Sequence, residues 1–128
     1  MKWAICNCKD QPFVRITLRG VFNPDDYLLM LQDLISKDFW KPGTYILLDN
    51  RKLDFSKSSY EVMRKASFNH EDNDEWIGNS KIAFLMNSVG DFGLGRQYEI
   101  LTDGRVSARI HVFVDEETAT RWLSDGIY

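Results

Sequence analysis

The stretch ILLDNRKLDFSKSSYEVM, Ile46 to Met63, decides the fold. An apolar run ends at Asp49, a short basic connection follows, and a serine cluster leads into a segment of helical character. The run TYILLD, residues 44–49, is short, β-rich and apolar throughout, which suits a central strand covered on both faces. Ser56 to Asn69 reads as the next helix. Ser56 or Ser58 can cap it, and Glu61 stands at capping-box spacing from Ser58.

Working outward, Trp3 to Cys8 reads as a first strand and Gln11-Pro12 as a turn. FVRITLRG, residues 13–20, alternates apolar and polar, so the two segments form an antiparallel hairpin whose second strand lies near a sheet edge. Asn23 is a good N-cap, Pro24 suits the first helical position, and Asp25 and Asp26 suit the positive end of the dipole. Tyr27, Leu28, Leu31, Leu34 and Ile35 make an apolar stripe at helical spacing, widened by Leu29 and Met30. Lys41-Pro42-Gly43 ends the connection. Past the central stretch, His70 to Trp76 reads as an acidic loop. Lys81 to Met86 is a second buried-type strand. Val89 to Leu101 is a helix that Thr102-Asp103-Gly104 terminates. Val106 to Val114 is a long strand. Asp115 caps a final helix, with Ala119, Trp122 and Leu123 toward the sheet and Gly126 as its stop. The order β-β-α-β-α-β-α-β-α predicts an α/β domain over 1–128, with a mixed, largely parallel sheet and covering helices.

Composition narrows the function. Hydrophobic residues make up 44% and charged residues 27% of the chain, an ordinary globular balance. The net charge is −3 and Lys and Arg are scattered, so the basic stripe of a nucleic-acid binder is missing. No apolar run reaches the ~18 residues of a membrane helix. Trp3 to Cys6 is too short for a signal peptide, so the expected location is cytoplasmic. Cys6 and Cys8 read as neighbouring thiols on opposite faces of a strand, because C-x-C is poor geometry for a structural disulfide. No metal or cofactor is expected. His70, Glu71, Asp72, Asp74 and Glu75 make a ligand-like list without the spacing of a calcium loop. GDFGLGR, Gly90 to Arg96, has three glycines at a helix start, where backbone N–H groups could hold an anion beside Arg96. Close packing is the plainer use of those glycines, and the DFG triplet lacks every other kinase element. His111 has no evident partner in sequence, which leaves a small hydrolase as one alternative. Trp40 and Trp76 fall near loops, where core packing outweighs a pocket or dimer contact.

The wider pattern around the serine cluster resembles the STAS domain, the fold of SpoIIAA-type anti-sigma factor antagonists. Leu53, Phe55, Ser58 and Ser59 carry that resemblance. Phe113, Asp115, Ala119, Trp122 and Leu123 resemble the ending of the small bacterial SpoIIAA-like, STAS/SEC14-type proteins. The resemblance implies a regulatory or ligand-binding domain without established catalysis. It also implies that Ser59 holds the phosphate-acceptor position of the antagonists. Lys57 and Tyr60 replace the usual Asp and Gly beside the serine pair, so the switch itself is expected to be lost. The expected partner is a small apolar or anionic ligand, or a protein. The expected contacts are Asp49, Asn50, Ser58, Ser59, Asn87 and Ser88, with Arg96 as anion partner, at the ends of the parallel strands. A homodimer fits the plentiful aromatics and the expected edge strand.

Overall fold

The computed structural model describes residues 1–125. Five strands form one sheet in the order β1-β2-β3-β4-β5: β1 (Lys2–Cys6), β2 (Val14–Val21), β3 (Ile46–Asp54), β4 (Lys81–Leu85) and β5 (Arg109–Phe113). β1 and β2 are antiparallel, and every later pair is parallel. The helices are α1 (Pro24–Ser36), α2 (Tyr60–Asp72), α3 (Asp74–Ile77), α4 (Val89–Thr102) and α5 (Glu116–Asp125). The mixed sheet and the alternation of strand and helix are as the sequence pattern requires, with the four-residue α3 as an addition. The expected stop at Gly126 lies outside the described residues.

Each crossover between parallel neighbours carries a helix, and right-handed crossovers in sequential strand order put those helices on one face. α2 accordingly packs between α1 and α4. Beneath them lies the larger core, built on Ile16, Leu18, Ile46, Leu48, Ile82, Phe84, Ile110 and Val112. The opposite face alternates with it and holds Phe13, Leu47, Ala83, Leu85 and Phe113, covered by Ala119, Trp122 and Leu123 of α5. α5 packs on β3, β4 and β5 and leaves that face of β1 and β2 open. There Lys2, Ala4, Cys6 and Arg19 are exposed.

Local chemistry explains the helix starts. The Asn23 side chain accepts from the N–H groups of Asp25 and Asp26 at 2.8 and 3.1 Å. Asp115 accepts from the Thr118 N–H at 2.9 Å and opens α5. Of the α1 stripe, Tyr27, Met30, Leu31 and Leu34 are buried, whereas Leu29 points outward. Gly95 of α4 lies over β5: a Cβ there would stand 3.0 Å from Val112 Cγ1, so this glycine serves close packing.

Several expectations are corrected. β3 runs on through the basic connection to Asp54, because Arg19, Gly20 and Val21 pair with Lys52, Leu53 and Asp54 beyond a bulge. β2 lies one strand in from the edge, and β1 and β5 are the edges. β5 is shorter than expected, since Val106 to Ala108 lie outside its ladder. His70 is not in a solvated loop. It belongs to α2 and is fully buried. Trp40 is a core residue whose indole N–H donates to the Trp76 carbonyl at 2.9 Å, while the Trp76 side chain is exposed. Cys6 and Cys8 are not separate thiols on opposite faces. Residues two apart on an extended chain share a side, and these two are joined by a disulfide with Cα atoms 5.4 Å apart.

Candidate functional site

The serine cluster sits where β3 hands over to α2. Ser59, not Ser56 or Ser58, is the N-cap: its hydroxyl accepts from the Val62 N–H at 3.3 Å. Glu61 pairs with Arg64 instead of closing a capping box. Ser58 turns inward, and its hydroxyl oxygen is buried with no hydrogen-bond partner among the described residues. Ser88 does for α4 what Ser59 does for α2, accepting from the Asp91 N–H at 3.2 Å. Asn87 beside it is exposed.

Adjacent residues on β3 face opposite ways, and this separates two expected contacts. Asn50 faces the three-helix side. It is 4% exposed, its amide N–H₂ reaches only the Met86 sulfur at 3.6 Å, and its Oδ1 has no partner among the described residues. It borders a depression walled by Phe22, Phe55, Met63, Phe84, Met86 and Tyr98. The depression has a cavity volume of about 10 Å³. An unpaired amide in such apolar surroundings is costly, so the position is notable. Sequential strand order gives no switch-point crevice of the kind expected. The hollow lies under the helix layer instead.

Asp49 faces α5 and is used up there. Its carboxylate takes Arg15 at 2.9 Å and the Arg51 Nε and Nη2 at 2.9 and 2.8 Å. Glu116 of α5 holds the same two guanidinium groups at 2.8 and 2.9 Å. Burial pushes the Asp49 carboxyl up, but the hydrogen bonds of Arg51 and Arg15 outweigh it and hold the group below its ordinary value. Arg15 likewise lowers Glu116. This quartet ties α5 to the sheet. Replacing Asp49 with Asn should cost about 2 kcal/mol in urea unfolding, between the values for exposed and buried ion pairs. A change under about 0.5 kcal/mol would show the quartet to be decorative.

Arg96 stands away from the hollow, midway along α4, where it pairs with Glu99. Both border a groove of about 400 Å³ along the β5 edge, together with His111, whose Nδ1 lies 3.2 Å from Glu99 Oε1. The hydroxyls nearest this pair in the groove wall are committed: Thr102 donates to the Tyr98 carbonyl at 2.9 Å and Ser107 to Asp74 at 2.9 Å. Neither is arranged as a nucleophile for His111. Among the described residues no His, Cys, Asp and Glu group could hold a metal ion.

A buried polar chain escaped the sequence reading. His70 Nδ1 and the Tyr27 hydroxyl each lie 3.0 Å from the Tyr98 hydroxyl, one link per helix of the three-helix layer. Burial is the dominant cause that raises both tyrosines and lowers His70 to about 4. The missed signal was helical spacing: Tyr27 and Tyr98 both stand on inward stripes, where a buried hydroxyl needs a partner.

No helix of the described residues is long and apolar enough to cross a membrane. No family model matches the chain, and no curated protein is significantly similar to it. Among solved structures it is similar to an uncharacterized DUF3478-family protein with a SpoIIAA-like fold from Shewanella loihica PV-4. The identity is 17% and the TM-score 0.61, over 95% of this chain and 92% of the other. At that identity the likeness establishes architecture, and the chain has a SpoIIAA-like fold.

Proposed function

We propose that the chain is a non-enzymatic binding module that takes a small, mainly apolar ligand into the hollow beside Asn50. One observation carries this reading: a buried carboxamide oxygen, without a partner among the described residues, faces an otherwise apolar hollow beneath the helix layer. Such a group is suited to one hydrogen bond from a ligand donor, with the remaining contact apolar. The free space is small, so entry requires lining side chains to move aside.

Native mass spectrometry of gently purified protein, before and after exposure to a bacterial lipid extract, tests the reading. A bound mass is expected, and Asn50→Leu should weaken its retention about tenfold, the worth of one buried hydrogen bond. A bare mass under both conditions would remove the ligand-carrier reading.

A second reading rests on Ser59, which is exposed at the N-terminus of α2, where the helix dipole favours an added phosphate. In this reading the module is a phosphorylation-controlled partner switch. Ser59→Asp and Ser59→Ala should then retain different proteins, and identical retention by both variants and wild type sinks it.

A further inference from the structure

The Cys6–Cys8 bond does little for the fold, and its position suits chemistry. It encloses one residue, Asn7, so it constrains the unfolded chain far less than a bridge across a long loop. It lies at the end of an edge strand, where pairing with β2 stops at Cys6 opposite Arg15. Neither cysteine belongs to either core cluster, Cys6 is exposed, and Cys8 is half-buried. Lys2, Arg15 and Arg19 share the open sheet face with Cys6, and Lys9 follows Cys8. Asp49 and Glu116 both engage the Arg15 guanidinium.

We propose that Cys6–Cys8 is a thiol–disulfide exchange site whose reaction partner is a dithiol. One thiolate of the dithiol attacks the exposed Cys6 sulfur. The Cys6–Cys8 bond breaks, its electron pair leaves on the Cys8 sulfur, and a mixed disulfide forms at Cys6. The second thiolate of the dithiol attacks the other dithiol sulfur, the one bonded to Cys6, which closes the dithiol's own disulfide and releases Cys6 with the electron pair of the broken bond. The dithiol is oxidised by two electrons to a disulfide, the cysteine pair is reduced by two, and two protons pass from the dithiol to Cys6 and Cys8. No packed side chain has to move, so exchange proceeds on the folded domain.

The test is alkylation and mass spectrometry of the whole chain in native buffer, with dithiothreitol as the dithiol. Air-equilibrated protein should take up no alkyl group, and protein treated with millimolar dithiothreitol should take up two. Far-UV circular dichroism should not change, and the melting midpoint should stay within about 3 °C on reduction. Oxidised glutathione should restore the unreactive form. A Cys6→Ser, Cys8→Ser variant should melt with the oxidised protein. Free thiols in the air-equilibrated protein, reduction only in denaturant, or a larger fall in melting midpoint would each overturn the proposal.

Discussion

Replacing Tyr98 with Ala should cost about 4 kcal/mol and lower the melting midpoint by about 15 °C, the largest single-residue loss expected in this chain. Tyr98 is 1% exposed, stacks on Phe84 with ring centroids 4.9 Å apart, and meets Tyr27 edge-on at 5.9 Å. Removing the ring opens a void between α4 and the sheet. It also strips His70 and Tyr27 of their shared partner, so two more buried polar groups lose a hydrogen bond. Tyr98→Phe separates the two effects. It keeps the ring and deletes the hydroxyl, and should cost about 2 kcal/mol, because the polar chain fails at its middle link. Urea unfolding of both variants, read with an unchanged m-value, decides the matter. Equal losses would mean that packing counts for nothing beyond the hydroxyl. A loss under about 1 kcal/mol for Tyr98→Phe would mean that the chain of hydroxyls is incidental.

The parts of this structure that were legible in the sequence follow local rules. Asn23 and Asp115 announce their helices because capping needs only the next few residues. The apolar runs of β3 and β4 announce a sheet covered on both faces, and α5 turned out to supply the second cover. What was not legible depends on groups brought together from afar. Asp49 was read as a ligand contact because it ends an apolar run. Its partner Arg15 lies 34 residues before it, and Glu116, which shares that arginine, lies 101 residues beyond Arg15. A carboxylate in a buried strand does signal a missing cation, though not which one. His70 was placed in a loop because four acidic residues follow it closely in sequence. α2 carries it inward, with Glu71 and Asp72 outside. Ser59 takes the capping role expected of Ser56 or Ser58, because one residue of helix phase decides which hydroxyl faces the core. Asn50 was read as lying at the end of the parallel strands, whereas β3 runs on past it to Asp54. Its burial beneath the helices follows from a strand order that no local pattern encodes.

Stability should fall by about 3 kcal/mol as the pH drops from 6.5 to 4, and His70 should account for most of the loss. Burial lowers His70 from the ordinary 6.5 to about 4, against a small opposing pull from Asp74. The geometry gives the reason. An imidazolium carries a proton on each nitrogen. Nδ1 has the Tyr98 hydroxyl at 3.0 Å, but Nε2 is buried with no partner among the described residues. The charged ring would thus bury an unpaired donor as well as a charge. Between pH 6.5 and 4 the unfolded chain binds a proton at this position that the folded chain refuses. Stability therefore rises with pH across that window and is lost on acidification. The depressed carboxyls of Asp49 and Glu116 contribute in the same direction at lower pH. Their stabilisation is complete above the ordinary carboxylate range, near 4, and is lost as the pH falls through their lowered folded values. The two windows can therefore be told apart. Urea unfolding at half-unit intervals from pH 7.5 to 4, in a His111→Gln background that removes the other histidine, should show a slope approaching about 1.4 kcal/mol per unit. Adding His70→Gln should lower stability at pH 7 and flatten that slope. A slope that survives the second substitution would assign the acid sensitivity to other groups, and the buried imidazole would then titrate much as it does in water.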